Sequence, residues 1–432
     1  MAALHHRDGW KAWLVCFSAV VSNILIFGSA STFGVIYPVL LDDFKEGKAT
    51  TAWVGSLAGF LTFCLSPISA KLIYRFGPRL VAIFGAIICA IGLFVTSFSK
   101  TIAFMYFSYG VVFGIGSSMT YNSNFDIVQK YFKRKTSLAL GIMTAGAGAS
   151  FCMGFIFEIL ITHVGWRNMY KCTSAMALAV CVSSLSYSPQ VEKDYEPKLP
   201  RETRIAQNGV KHTSLFKNYP YIICCILSFF YVLGVNIPLV HLGRYALDSG
   251  LTLSQVGHLY ITYGVSTVIG RIVSGKLCDL KCINLIYLNS FVIVTVATAI
   301  MFIQYAKDPV GLNMYCCVHG TFDGMQVTAT SVMITRYTNV LNRTRGYGWF
   351  NQIISWGFLL APPLGGFIAD QTGSYIPAFY VAGSIAFIGG AMEMTLKCFN
   401  TVDIGTVPPM EVLLETIDDT NHETVVQKIT VL

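Results

Sequence analysis

Apolar runs long enough to cross a bilayer recur about twelve times along this chain, at 10–41, 51–73, 80–98, 102–125, 138–161, 168–188, 219–243, 255–278, 284–304, 312–334, 346–369 and 375–397. A helix rises about 1.5 Å per residue, so about 20 apolar residues match the hydrocarbon thickness. In lipid each backbone N–H and C=O must find its partner within the protein, and for runs of this length the helix is the form that does so. Glycine and proline are frequent within the runs, which neighbouring helices in a bundle tolerate. The expected fold class is therefore an all-α membrane protein. Only 12% of the 432 residues are charged, about half the share of a soluble domain, which agrees with that class. The formal charge of +8 is scattered in short clusters between the runs. Membrane topology accounts for those clusters, so the lipid bilayer is an expected partner and nucleic acid is not. The cysteines sit mostly inside apolar runs and show no zinc-ligand spacing, so no metal is expected, nor any cofactor. The first run is too long for the core of a cleavable leader, and none is expected.

Orientation follows from the loops. With a cytosolic N-terminus, the inner segments hold Arg7, Lys71, Arg75, Arg79, Lys130, Lys133, Arg134, Lys135, Lys276, Lys281, Arg336, Arg343 and Arg345. The outer loops hold Lys45, Lys48, Lys100, Arg167, Arg244 and Lys307. The excess of basic residues inside places both termini in the cytosol. The sequon Asn342–Arg343–Thr344 then falls in an inner loop and should stay unglycosylated. A polar, mixed-charge stretch divides the runs six and six. The expected organisation is a six-helix half over 1–188, a cytosolic linker over 189–218, a second six-helix half over 219–397 and a flexible acidic tail over 398–432. Weak internal matches support duplication: Lys71–Leu72 with Lys276–Leu277, Tyr131 with Tyr337, and Gly165 with Gly373, at nearly constant offset. An even number of spans sets two copies of one unit parallel.

Charged and polar residues inside the runs carry the functional signal. Arg271 lies roughly 10 Å from the cytosolic edge of its run. A guanidinium does not deprotonate, and facing lipid at that depth costs several kcal/mol or more. It must therefore face protein or water, as a part of an ion or anion pathway or as a structural arginine bonded to carbonyls or a buried acid. Asp323 lies near the middle of the tenth run, one turn after His319; it would either pair with Arg271 directly or share a zwitterionic substrate with it. His241, near the outer end of the seventh run, is a candidate for substrate contact or proton transfer, or an interfacial histidine. Tyr121, Asn122 and Asn124 form a polar patch in the fourth run that would line a cavity or bond across helices. The glycine runs at 111–118 and 141–150 follow no strand and lack the phosphate-loop lysine, so they read as helix-packing surfaces. No nucleophile–base constellation emerges, and an enzyme is not expected. Thr430–Val431–Leu432 fits the carboxyl terminus that PDZ domains take by strand addition, a possible PDZ partner at Leu432.

Several of these segments resemble the monocarboxylate transporter family of solute carriers. Asp8–Gly9–Trp10–Lys11–Ala12–Trp13 is similar to that family's first-helix opening. Tyr131–Phe132–Lys133–Arg134–Lys135 with Leu138–Ala139–Leu140–Gly141 and Ala145–Gly146 is similar to its entry to the fifth helix. Thr51–Ala52–Trp53–Val54, Ser66–Pro67–Ile68 and Ala361–Pro362–Pro363–Leu364–Gly365–Gly366 also fit. The resemblance implies the twelve-helix major facilitator fold with two parallel six-helix halves and alternating access to a central site. In the proton-coupled lactate and pyruvate carriers of the family, a first-helix lysine and an eighth-helix aspartate accompany the arginine. Those positions here are Ser31 and Thr267, while Arg271 remains. A branch carrying aromatic amino acids and thyroid hormones is closer at Phe63–Cys64, at 270–275, at Asp323–Gly324 and at Pro238–Leu239–Val240–His241–Leu242, and the histidine-containing run is similar to orphan branches as well. That likeness implies substrate contacts at Arg271, Asp323 and His241. It fails at Ala30 and Ile159, where the branch has a histidine and an arginine. The expectation is a plasma-membrane transporter of small organic acids working by facilitated diffusion. A proton-coupled lactate or pyruvate symporter and a non-transporting sensor or adaptor are the alternatives. Some relatives need a single-span ancillary glycoprotein, a further possible partner.

Overall fold

A computed structural model of the chain describes residues 9–132, 136–187, 218–280, 282–338 and 343–399. Arg7, Asp8, the basic run Lys133–Arg134–Lys135, the linker stretch 189–217, Lys281, the sequon Asn342, and the tail from 400 with Thr430–Val431–Leu432 lie outside the described residues.

The first half holds α1 (Trp10–Phe44), α2 (Lys48–Cys64 continued by Ser66–Phe76 after a 50° bend), α3 (Pro78–Thr96) and α4 (Ile102–Tyr131). It continues as α5 (136–164) and α6 (166–184), two arms of one tract that turns at Gly165 with φ 80° and ψ 159°. The second half holds α7 (Tyr219–Asp248), α8 (Leu253–Asp279), α9 (Leu285–Phe302), α10 (Pro309–Tyr337), α11 (Arg343–Thr372) and α12 (Ile376–Glu393). The turn from α11 to α12 passes through Gly373 at φ 73°. Gly165 and Gly373 are the pair matched between halves in the sequence, and each supplies the left-handed backbone that a residue with a Cβ resists.

Local chemistry starts the helices where the sequence breaks. Thr252 and Gln255 form a capping box at α8, and Asn218, Asn284 and Asp308 cap α7, α9 and α10. The bend in α2 falls at Leu65, just before Ser66–Pro67, where proline withdraws a backbone donor.

Eight helices among the described residues are long and apolar enough to span, with the bent α2 pair as a ninth. One of the eight is the tract that turns at Gly165 and therefore spans twice. The two helices outside that set are α8 and α10, which carry Arg271 and Lys276 in one and His319, Asp323 and Gln326 in the other. With them the bundle has twelve spans, as the recurrence of apolar runs predicts. The two that fall short on apolarity are the ones that carry Arg271 and Asp323.

The halves meet most tightly at the end where α1 finishes. There Tyr37, Leu40, Leu242, Tyr245, Tyr375 and Phe379 belong to one hydrophobic core drawn from both halves. Arg244 of α7 pairs with Asp42 of α1 at 2.6 Å and with its own Asp248 at 2.9 Å. Asp370 of α11 accepts the backbone N–H groups of Lys48 and Ala49, each at 3.1 Å, so the first turn of α2 is capped by the other half. At the opposite end each half packs a core of its own, one around Tyr131 and Tyr187, the other around Tyr221 and Met333. The bundle is closed at the Asp42 end.

Candidate functional site

On α8 the outward stripe is Val265, Ile269, Ile272 and Lys276, all exposed. At 100° per residue Arg271 points about 130° away from that stripe, on the side of Tyr263, Thr267 and Ser274. Those three are buried, and Arg271 is partly accessible. The guanidinium therefore looks into the bundle, between the halves, and away from acyl chains. Its Nη1 donates to the carbonyl of Thr144 on α5 at 2.5 Å, a bond from one half to the other. Its Nε has no partner. The glycine run at 141–150 explains the approach: at Gly148 a Cβ would lie 3.3 Å from the Arg271 Nε.

Asp323 does not form an ion pair with Arg271; among the described residues the four ion pairs lie elsewhere. Its Oδ1 accepts from the Tyr231 hydroxyl of α7 at 2.8 Å. Arg271 remains within electrostatic range of Asp323, Tyr121 and Tyr263. The Tyr263 hydroxyl and the His319 Nε2 are buried without partners, and the His319 Nδ1 shares a 2.8 Å bond with Tyr315. A cation and an anion thus lie within electrostatic range of each other with no ion pair between them, among buried polar atoms of which the Arg271 Nε and the His319 Nε2 have no partner. A buried donor or acceptor left open costs about 1–3 kcal/mol. Such a set suits a small ligand carrying a carboxylate, with or without an ammonium.

The α8–α10 crossing fixes this pair. A Cβ at Gly324 would fall on the Thr267 carbonyl oxygen and 3.1 Å from the Arg271 backbone nitrogen. Gly324→Val should therefore force the helices apart and lower the amount of folded protein. Overpacking of this kind costs about 1–3 kcal/mol or more. Fluorescence-detected size-exclusion chromatography of the detergent extract measures it, and a wild-type monodisperse peak would contradict the tight crossing.

Tyr121 sits across from Arg271 on α4, with Phe27 and Phe63 rings each 5.6 Å away. Phe63 stacks in turn on Phe358 of α11 at 5.0 Å, so aromatic rings continue the lining from half to half. Asn122 is engaged differently: its Nδ2 donates to the Ser118 carbonyl at 2.8 Å and to Ser66 Oγ at 3.3 Å, tying α4 to the second segment of α2. Asn124 bonds Ser22, Asn23 and Tyr187, joining α1, α4 and the turn that follows α6. His241 lies at the closed end, fully buried, its ring between Tyr37 at 4.9 Å and Tyr375 at 5.1 Å. Its Nε2 pairs with the Pro362 carbonyl at 2.8 Å. The structure thus brings Arg271, Asp323 and Tyr121 together, and sets His241 and Asn122 apart from them. Ser31 bonds Ser150 at 3.1 Å, and Thr267 bonds back to the Tyr263 carbonyl at 2.9 Å, so both are satisfied as neutral groups.

Sequence reasoning missed Tyr231, Tyr263 and Thr144. Tyr263 stands eight residues before Arg271 on the same helix face, a spacing that was there to be read. Tyr231 and Thr144 come from other helices and leave no local signal.

The model of the Major Facilitator Superfamily matches residues 19–325 and 314–403. The chain belongs to the major facilitator superfamily. Among curated proteins it is similar to monocarboxylate transporter 13 of Bos taurus, 27% identical over 414 residues and covering 95% of each chain. It is also similar to monocarboxylate transporter 10 of Danio rerio, 28% identical, covering 89% of this chain and 78% of that one. Within the superfamily the curated proteins it is similar to are named monocarboxylate transporters, in line with the resemblance of its first- and fifth-helix segments. Solved structures agree on the fold. The nucleoside transporter NupG superposes with a TM-score of 0.71 at 13% identity over 89% of this chain and 99% of that one. A peptide transporter, POT, superposes with 0.73 at 11% identity over 94% of this chain and 97% of that one. This superfamily member is a multi-pass membrane protein of the transporter type.

Proposed function

We propose that this chain is a plasma-membrane carrier of small organic acids, of the monocarboxylate or amino-acid type, with both termini in the cytosol. One observation supports the reading above the others: Arg271 lies between the halves, turned from lipid, partly accessible and not ion-paired with Asp323. Arg271 takes the substrate carboxylate in a charge-assisted pair, and Asp323 orients it or accepts a substrate ammonium. Tyr121 contacts the substrate from the first half. His241 and Asn122 serve the closure and the α2–α4 contact in the state described here, and reach the path as the halves rock. Catalysis is no part of this role. The curated relatives named as monocarboxylate transporters favour the same substrate class.

Transport proceeds by facilitated diffusion, because Ser31 and Thr267 replace the lysine and aspartate that exchange a proton in the lactate carriers. In proteoliposomes an imposed pH gradient should leave the final level of labelled substrate unchanged. Accumulation above equilibrium under an inward proton gradient would instead establish symport. The substrate is sought by competition among lactate, aromatic amino acids, thyroid hormones and creatine in cells expressing the protein. If reconstituted protein moves none of them, the carrier reading loses to that of a sensor or adaptor.

A further inference from the structure

A second buried acid lies far from Arg271. Glu393 ends α12, on the order of 25 Å along the helix from Ile376 and the closed end. It is 2% exposed, and no ion pair among the described residues includes it. The Asn289 Nδ2 of α9 donates to Glu393 Oε1 at 2.6 Å, and also reaches Thr330 Oγ1 of α10 at 3.3 Å. Gln326 donates to the same Thr330 hydroxyl at 2.9 Å. Two buried oxygens in this network have no partner: Glu393 Oε2 and Asn289 Oδ1. Both are acceptors when the carboxyl is ionised. A proton on Oε2 turns one of them into a donor, and an acid facing an amide can then close a ring of two bonds, N–H to Oε1 and O–H to Oδ1. Turning the Asn289 amide over does not remove the need. It would set two acceptor oxygens 2.6 Å apart, again with a proton required between them.

Among the described residues no basic side chain pairs with Glu393. Facing Glu393 are Cys224 of α7 and Tyr337 of α10, both neutral in their ordinary state, and the uncharged Asn289 and Ser290 of α9. Arg336, beside Tyr337, directs its Nη2 to the Cys278 carbonyl at 3.4 Å. An isolated buried carboxylate is costly, and such a group keeps its proton instead.

We propose that Glu393 is a proton-binding site, held as the neutral acid in a cyclic carboxylic acid–amide pair with Asn289 that ties α12 to α9 and α10. The site is independent of the substrate reading. Its proton joins three helices of the second half at the end opposite the closure, and releasing it leaves a bare charge among them. The sign follows from linkage: a native state that keeps a proton the unfolded chain gives up loses stability as pH rises.

Infrared difference spectroscopy of reconstituted protein tests this directly. At about pH 7 the wild type minus Glu393→Gln should show the C=O stretch of one protonated carboxyl, shifting in D2O. Gln keeps a two-bond ring with Asn289, so the variant should fold. If the difference shows only ionised-carboxylate bands, the proposal fails. In detergent, the wild-type thermal midpoint should fall between about pH 6 and about pH 9, and Glu393→Gln should lose that part of the slope. Equal slopes would overturn it. So would a sodium-dependent rise of the wild-type midpoint that is lost in Glu393→Gln, because the free oxygens would then belong to a metal cation.

Discussion

Arg271→Ala is expected to abolish uptake while the protein still reaches the membrane in wild-type amount. The side chain makes one hydrogen bond, to the Thr144 carbonyl, and leaves its Nε open, so little of the fold depends on it. A substrate carboxylate in a poorly hydrated space depends on it far more. Removing one partner of a buried, hydrogen-bonded charge pair costs about 2–5 kcal/mol, and 1.4 kcal/mol is a factor of about ten. Uptake should therefore drop by about thirtyfold to several thousandfold. Arg271→Lys should also lose most activity, because a point charge cannot hold a carboxylate through two parallel bonds. Uptake of labelled substrate, normalised to surface biotinylation, measures both. Retained transport in Arg271→Ala would remove the substrate role and leave a structural arginine.

Replacing Asp323 has the second-largest expected effect, and it separates substrate classes. Asp323→Ala strips the acceptor from the Tyr231 hydroxyl, now bonded at 2.8 Å, and leaves Arg271 without its neighbouring negative charge. The orphaned hydroxyl alone costs about 1–3 kcal/mol. A tenfold to hundredfold loss of transport should follow for any substrate. Asp323→Asn keeps an oxygen for Tyr231 but loses the charge. A substrate bearing an ammonium should suffer in Asp323→Asn nearly as much as in Asp323→Ala, whereas a plain monocarboxylate should pass almost normally. Wild-type uptake of an amino acid by Asp323→Asn would end the role of Asp323 as ammonium acceptor.

The architecture was largely legible because lipid leaves few choices. Recurring apolar length gives spans, and the echo of Gly165 in Gly373 gives two copies with the same left-handed turn. Even the failure of α8 and α10 to pass as plainly apolar was informative, since Arg271 and Asp323 are among the causes. The site was legible only as separate charges. Whether Arg271 and Asp323 touch depends on a helix crossing at Gly324 and on a tyrosine from α7, and neither follows from spacing along one chain. His241 shows the limit most clearly. A histidine near a span end reads equally as ligand or interface residue, and only packing reveals it wedged between Tyr37 and Tyr375. Asn122 belongs with it, because a polar side chain in a span satisfies its own helix as readily as a ligand.

Electron cryo-microscopy of the protein in nanodiscs, with the strongest competitor from the uptake panel, tests the central claim most directly. The ligand carboxylate should lie about 2.7–2.9 Å from the Arg271 guanidinium, on the side facing Asp323 and Tyr121. A ligand bound elsewhere, with that guanidinium shut in a pocket no solute can enter, would contradict the account.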